Sequence, residues 1–253
     1  MKVQVLASGS KGNCTYIETE NTKLLIDAGI NYPRLKNELE KIDVNPNTID
    51  AMVISHTHKD HVSGLSSITK KTNLTVFIKR ELLEEVRKVI PIDKIEIIDD
   101  SVDIKDLHID LINASHDVPA FGFILDDGKN SAVYLTDTGY INRKYFSLTK
   151  NKTIYIIESN HDEKMLMEGK YPYILKQRVI SDKGHLSNSY TARYLNKTIG
   201  NNTKYIILAH ISENNNTPEL AYSTVSTLLK ENNFDEKNII VAKQHEETEM
   251  VEV

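Results

Sequence analysis

The chain has 253 residues and a mass of 28.8 kDa, with 31 basic and 36 acidic side chains for a net charge of −5, one Cys, no Trp and nine His. That length buries a substantial core without staples, and a single Cys excludes a disulfide framework or a Cys-rich zinc module and fits a reducing compartment. No stretch approaches the ~20 apolar residues of a membrane span, and Met1–Ser8 is too short and polar for a signal-peptide core, so the expected location is cytoplasmic with no membrane partner.

Short Val- and Ile-rich runs predict strands over 2–7, 14–18, 23–27, 51–55, 74–78, 95–98, 107–113, 121–125, 131–136, 153–158, 204–209 and 238–242. Helices are expected over 33–42, 63–70, 80–89, 141–149, 172–181, 187–198 and 217–232. The last has a clear start, Thr217 before Pro218 with Glu219 in the first turn. Strands cluster early and late with helices between them, the pattern of a layered α/β (α+β) sandwich. No repeat or linker divides the chain, so a single domain over 1–253 is expected. Asn214-Asn215-Asn216 reads as a loop, and the acidic segment from Glu246 reads as an end prone to fraying.

The overall acidity counts mildly against a polyanionic partner, but it is unevenly distributed. Residues 1–137 carry −6, residues 138–212 carry +7 and residues 213–253 carry −6. The basic segment also holds eight of the twelve Tyr. Basic side chains interleaved with aromatics suit single-stranded nucleic acid, charge for phosphates and rings for bases. A solvated Lys-rich surface with half-buried Tyr would give the same composition.

The sharpest motif is His56-Thr57-His58-Lys59-Asp60-His61, directly after the apolar run 51–54. Imidazole and carboxylate are donors that Zn²⁺ and Mn²⁺ accept. On extended backbone His56 and His58 point the same way and reach one ion, and a turn brings Asp60 and His61 to a second. Four ligand-type residues within six, at a strand end, are hard to account for as a solvated loop.

This hexapeptide resembles the signature of the metallo-β-lactamase family, and the resemblance extends over essentially the whole chain. It implies the four-layer αβ/βα sandwich. It also implies that Asp27, in Leu-Leu-Ile-Asp-Ala-Gly, supports the metal loop. His116 in Asn-Ala-Ser-His-Asp, Asp137 in Tyr-Leu-Thr-Asp-Thr-Gly and His210 in Leu-Ala-His-Ile-Ser match the remaining ligand positions. The implied sets are His56, His58 and His116 for one ion, and Asp60, His61 and His210 for the other, with Asp137 shared. Any of these alone could be a turn residue or a structural His; their joint order carries the assignment. His108, His161 and His245 lack comparable context.

Two divalent ions, Zn²⁺ or Mn²⁺, would hold a hydroxide between them as nucleophile and support hydrolysis, without naming a substrate. Glu158-Ser159-Asn160-His161-Asp162 ends a strand, and Gly184-His185-Leu186-Ser187-Asn188 opens a helix with Ser187 as its N-cap. His185 and Glu158 resemble the His–Glu pair of phosphodiesterase branches of this fold, where the His faces the scissile phosphate; His185 would protonate the leaving oxygen or hold the phosphate. Amides at the helix start near Ser187 could hold a phosphate oxygen. With the first turn, Ser8-Gly9-Ser10-Lys11-Gly12-Asn13, these motifs look like the YycJ/WalJ group, small bacterial proteins described as 5′-to-3′ DNA exonucleases with a role proposed in mismatch repair. Cys14 stands where a small polar residue is expected in that group. The chain shows neither the β-CASP insertion nor the tRNA-clamping arm of larger relatives, which favours action on DNA ends or single strands. The alternatives are an RNA or small-phosphodiester hydrolase on the same site, or a thiolester or lactone hydrolase, which the Lys- and Tyr-rich middle segment disfavours. A scaffold that kept the fold would need lost ligands, and every expected position is filled.

Overall fold

The computed structural model describes residues 1–232 and 234–253. One sheet contains β1 (Lys2–Ala7), β2 (Cys14–Glu18), β3 (Lys23–Ile26), β4 (Ala51–Val53), β5 (Thr75–Lys79) and β6 (Ile95–Ile98). The other contains β7 (Ser101–Ile104), β8 (Leu107–Ala114), β9 (Ala120–Asp126), β10 (Ser131–Leu135), β11 (Ile154–Glu158), β12 (Tyr205–Ala209) and β13 (Ile239–Val241). A final strand, β14 (Val251–Glu252), returns to the first sheet beside β1, giving the orders β14-β1-β2-β3-β4-β5-β6 and β13-β12-β11-β10-β9-β8-β7. Each sheet is antiparallel on one side and parallel on the other, the switch falling at β3 in the first and β10 in the second.

Helices cover both outer faces. They are α1 (Tyr32–Glu40), α2 (Lys59–Val62), α3 (Leu65–Thr69), α4 (Leu83–Val86), α5 (Phe146–Thr149), α6 (Glu163–Glu168), α7 (Tyr173–Ile180), α8 (Asn188–Thr198) and α9 (Pro218–Leu229). Between the sheets, Val3, Ile17, Leu24 and Val53 pack with Phe123, Leu125, Ile154 and Ile207. Outside the first sheet, Leu35 and Leu39 of α1 and Leu65 and Ile68 of α3 cover Leu25, Met52 and Val76. Outside the second, Ala192 and Leu195 of α8 and Ala221, Val225 and Leu229 of α9 cover Tyr155, Ile157, Ile206 and Leu208. Helix, sheet, sheet and helix thus make the αβ/βα sandwich. The inner strands are buried on both faces, which explains why β11 and β12 read as continuous apolar runs rather than alternating ones.

Several expected elements are shorter than the sequence pattern. The helix expected over 63–70 is present as the shorter α3, starting after Gly64 at its N-cap, and the metal-motif residues form the separate turn α2 before it. The helix expected over 80–89 opens as a 3₁₀ turn at Arg80–Leu82, and the one over 141–149 opens likewise at Arg143–Tyr145. The expected fraying from Glu246 is overturned. Gln4 donates to the Thr248 carbonyl at 2.8 Å, β14 pairs with β1, and the Met1 amine bonds the Val253 carbonyl at 2.9 Å. Asn214–Asn216 is a loop as expected, yet Asn216 is buried and its amide donates to the Ser159 carbonyl at 2.9 Å, locking that loop to β11. Among the described residues no helix is long and apolar enough to cross a membrane.

Candidate metal and phosphodiester site

The site lies where strands of both sheets end. Asp27 follows β3, the histidine motif follows β4, His116 follows β8, Asp137 follows β10, Glu158 closes β11 and His210 follows β12. Parallel pairing aligns the last three, with Leu135 opposite Ile157 and Glu158 opposite Ala209. Asp27, Asp137 and His210 all adopt left-handed backbone, with φ of 64°, 53° and 55°. Such conformations carry strain of order 1–3 kcal/mol, and here they turn the chain sharply so that a polar side chain points back over the strand ends.

All seven expected ligand residues come together. Donor atoms of His56, His58 and His116 lie within 4.8 Å of one another, as do those of Asp60, His61 and His210, and those of His56, His61 and Asp137. His58 Nδ1 and His116 Nε2 approach to 3.2 Å, His61 Nε2 lies 3.1 Å from Asp137 Oδ2, and His210 Nε2 lies 3.6 Å from Asp60 Oδ2. His56 Nε2, Asp137 Oδ2 and His210 Nε2 are buried without hydrogen-bond partners. An unmet buried polar atom is destabilising by about 1–3 kcal/mol, so these atoms, spread over the adjoining clusters, need partners. Divalent cations are partners that this nitrogen and oxygen donor set fits.

The supporting groups are carboxylates. Asp27 is fully buried and accepts from the Ser55 amide and hydroxyl, both at 2.8 Å, from the Tyr134 hydroxyl at 3.1 Å and from His61 Nδ1 at 2.7 Å. This leaves His61 Nε2 for the ion side, the arrangement that orients metal-binding imidazoles. Glu158, also fully buried, plays the same part twice, contacting His185 Nδ1 at 2.7 Å and His210 Nδ1 at 2.9 Å while accepting from the Thr138 and Leu186 amides. The expected His185–Glu158 pair is therefore present. The link from Glu158 to His210 was not readable from sequence.

Charge follows this geometry. Burial pushes the His210 imidazole down, but Asp137, Asp60 and Glu158 outweigh it and raise the group to about 10 in the metal-free chain. His61 is likewise lowered by burial and raised further by Asp27 and Asp137, ending well above its ordinary range. Burial would raise Glu158, yet His185 and His210 hold it at about 2.

Sequence reasoning also missed the role of the first turn. Asn13 Nδ2 donates to Asp60 Oδ2 at 3.1 Å and lies 2.8 Å from His61 Nε2, while its Oδ1 accepts from the Gly9 amide at 2.8 Å. Ser8 accepts from the His210 amide at 2.7 Å. Gly29 is required beside them, since a Cβ there would meet the Asp60 carbonyl at 1.8 Å. Conversely, the amides expected to await a phosphate at the start of α8 are engaged, Asn188 with the His161 carbonyl at 2.9 Å and Tyr190 with its N-cap Ser187 at 3.2 Å. His161 is buried beside them with Nδ1 unpartnered, while His108 pairs with Asp103 and Asp110 away from the site.

Comparison with known proteins agrees with this architecture. The Beta-lactamase superfamily domain matches residues 22–211. The chain is 36% identical over 234 residues to the exodeoxyribonuclease WalJ of Streptococcus pneumoniae serotype 2 (strain D39 / NCTC 7466), covering 88% of this chain and 86% of that protein. It is 34% identical over 237 residues to the exodeoxyribonuclease YycJ of Bacillus anthracis, covering 91% and 89%. The crystal structure of the metallo-β-lactamase fold protein YhfI from Bacillus subtilis superposes with a TM-score of 0.73 at 16% identity, covering 98% of each chain. With both sheets, the strand-end histidines and these relatives in agreement, the chain belongs to the β-lactamase superfamily and, within it, to the WalJ/YycJ family.

Proposed function

We propose that this protein is a dinuclear metal-dependent exonuclease that degrades DNA from the 5′ end. The observation that carries this reading is the joining of two ligand clusters through Asp137, with the His185–Glu158 pair beside them. The exodeoxyribonuclease names of the two relatives support the substrate class. His56, His58 and His116 would hold one ion and Asp60, His61 and His210 the other, with Asp137 shared. Bound Zn²⁺ or Mn²⁺ supplies Lewis acidity toward a phosphoryl oxygen and an activated water at neutral pH.

The chain's own residues do the rest. Asp27 and Glu158 fix the His61 and His210 rings so that Nε2 of each serves the ions. Glu158 holds His185 by Nδ1, which leaves Nε2 to face the scissile phosphate and give a proton to the departing oxygen. Burial lowers the His185 imidazole, but Glu158 raises it above its ordinary value, so it keeps the proton it must donate. The core shared by both sheets supports residues 1–253 acting as one metallo-β-lactamase-like domain, and the lone buried Cys14 supports a cytoplasmic setting.

The test is digestion of end-labelled DNA by purified protein loaded with Zn²⁺ or Mn²⁺. Nucleotides should be released from the 5′ end, and release should stop with chelator, Asp60→Ala or His61→Ala. Intact DNA after incubation with the loaded wild type would refute the reading. Parallel RNA and small-phosphodiester substrates test the alternatives on the same site.

A further inference from the structure

We infer that a basic and aromatic groove on the α8 side of the site carries the substrate strand away from the scissile phosphate; this rests on the nucleic-acid reading above and assigns it a path. Two cavities adjoin His185 in series. The first, of about 340 Å³, is walled by Met167, Ile180 and Tyr190, with His161 and Arg193 at its polar edge. The second, of about 470 Å³, shares Tyr190 and Arg193 with it and adds Tyr140, Arg143, Phe146 and Lys197. His185 lines the first cavity and also the cleft that holds His116 and His210, so those two spaces meet at this residue, and the second cavity joins the first through Tyr190 and Arg193.

The alternation of chemistry along this path matches a single strand of DNA. Tyr190, Arg193 and Lys197 recur at helical spacing on one face of α8. Arg143, opposite, is exposed, and among the described residues neither Arg143 nor Lys197 forms an ion pair, so their charge is free for phosphates. Tyr140 is 38% exposed, so its ring is open to a base. The acidic neighbour in the first cavity, Glu163, is occupied by the Ser187 and Ser189 hydroxyls at 2.8 and 2.7 Å. Rings that stack bases and unpaired cations that meet phosphates are what sequence-tolerant strand binding requires. The groove draws Arg143, Arg193 and Lys197 from the +7 segment.

The experiment compares wild type with the triple variant Tyr140→Ala, Arg143→Ala, Lys197→Ala, each fully loaded with Mn²⁺. The readout is kcat/KM on a 20-nucleotide single strand of DNA relative to kcat/KM on a dinucleotide. The ratio should fall at least tenfold, mainly through KM. The salt slope of binding to a phosphorothioate 20-mer should flatten by about 1.4, from about 0.7 per lost phosphate contact. Removing the same charge at exposed Lys70 and Lys71 should leave ratio and slope alone. An unchanged ratio in the triple variant, with the wild type active on DNA, overturns the groove and leaves the nuclease reading standing. A wild type that cleaves only small phosphodiesters overturns both.

Discussion

Asp27→Asn isolates the part of the site that acts without touching an ion. Asparagine tolerates the left-handed backbone at this position, so the turn after β3 should persist, while the carboxylate charge that accepts from four donors is lost. An amide presents one oxygen where the carboxylate presented two, so at least one buried donor faces an NH₂ group, destabilising the metal-free chain by about 1–3 kcal/mol. His61 loses the anion that fixes its ring, and loss of such a partner lowers metal affinity about 10–100-fold, or about 1.4–2.7 kcal/mol. Competition against a chromophoric chelator, titrated with Zn²⁺, resolves the two binding events per chain. Only the event assigned to Asp60, His61 and His210 should shift, and Ser55→Ala, which keeps the charge, should shift it less than tenfold. A folded Asp27→Asn protein that binds two ions with wild-type affinity would refute the assignment of Asp27 as the group orienting His61.

Three further outcomes follow from burial and charge. In the metal-free chain His61 and His210 are held protonated at neutral pH, His210 up to about 10, so an ion entering their cluster must displace protons. Affinity should therefore rise from pH 6 to 8, and calorimetry in buffers of different ionisation enthalpy should register net proton release; its absence would show that the rings are neutral before metal arrives. For folding the sign is the reverse. A raised His210 stabilises the metal-free chain fully below its ordinary 6.5, and that contribution is lost as pH rises toward about 10. Cys14 is fully buried, and burial pushes its thiol well above the ordinary range, so it should react with a disulfide reagent only at the rate of unfolding. Immediate stoichiometric labelling of native protein would contradict the packing of β2.

The residues proposed as ligands were legible because they are chemically distinctive and lie at strand ends, where an apolar run stops at His, Asp or Glu. The groups that orient them were harder to read, since their role depends on which strands are neighbours. Glu158 sits between Asp137 and His210 only because β10, β11 and β12 are adjacent and parallel, which sets Leu135 opposite Ile157 and Glu158 opposite Ala209. Nothing local to any of the three strands encodes that adjacency. Asn13 is a stronger case, because it reaches Asp60 and His61 across 47 and 48 residues of chain from a turn that by itself looks like an ordinary Gly- and Ser-rich connection. The misread ends have the same origin. The acidic C-terminal segment looked solvated from its composition, yet it supplies β14 because β1 would otherwise be an edge strand with unpaired backbone groups. The turn expected at Asp60 and His61 is the short helix α2, which leaves the strand direction so that both side chains meet His210. In each instance the local pattern identified which residues were chemically capable, and sheet order decided which of them met.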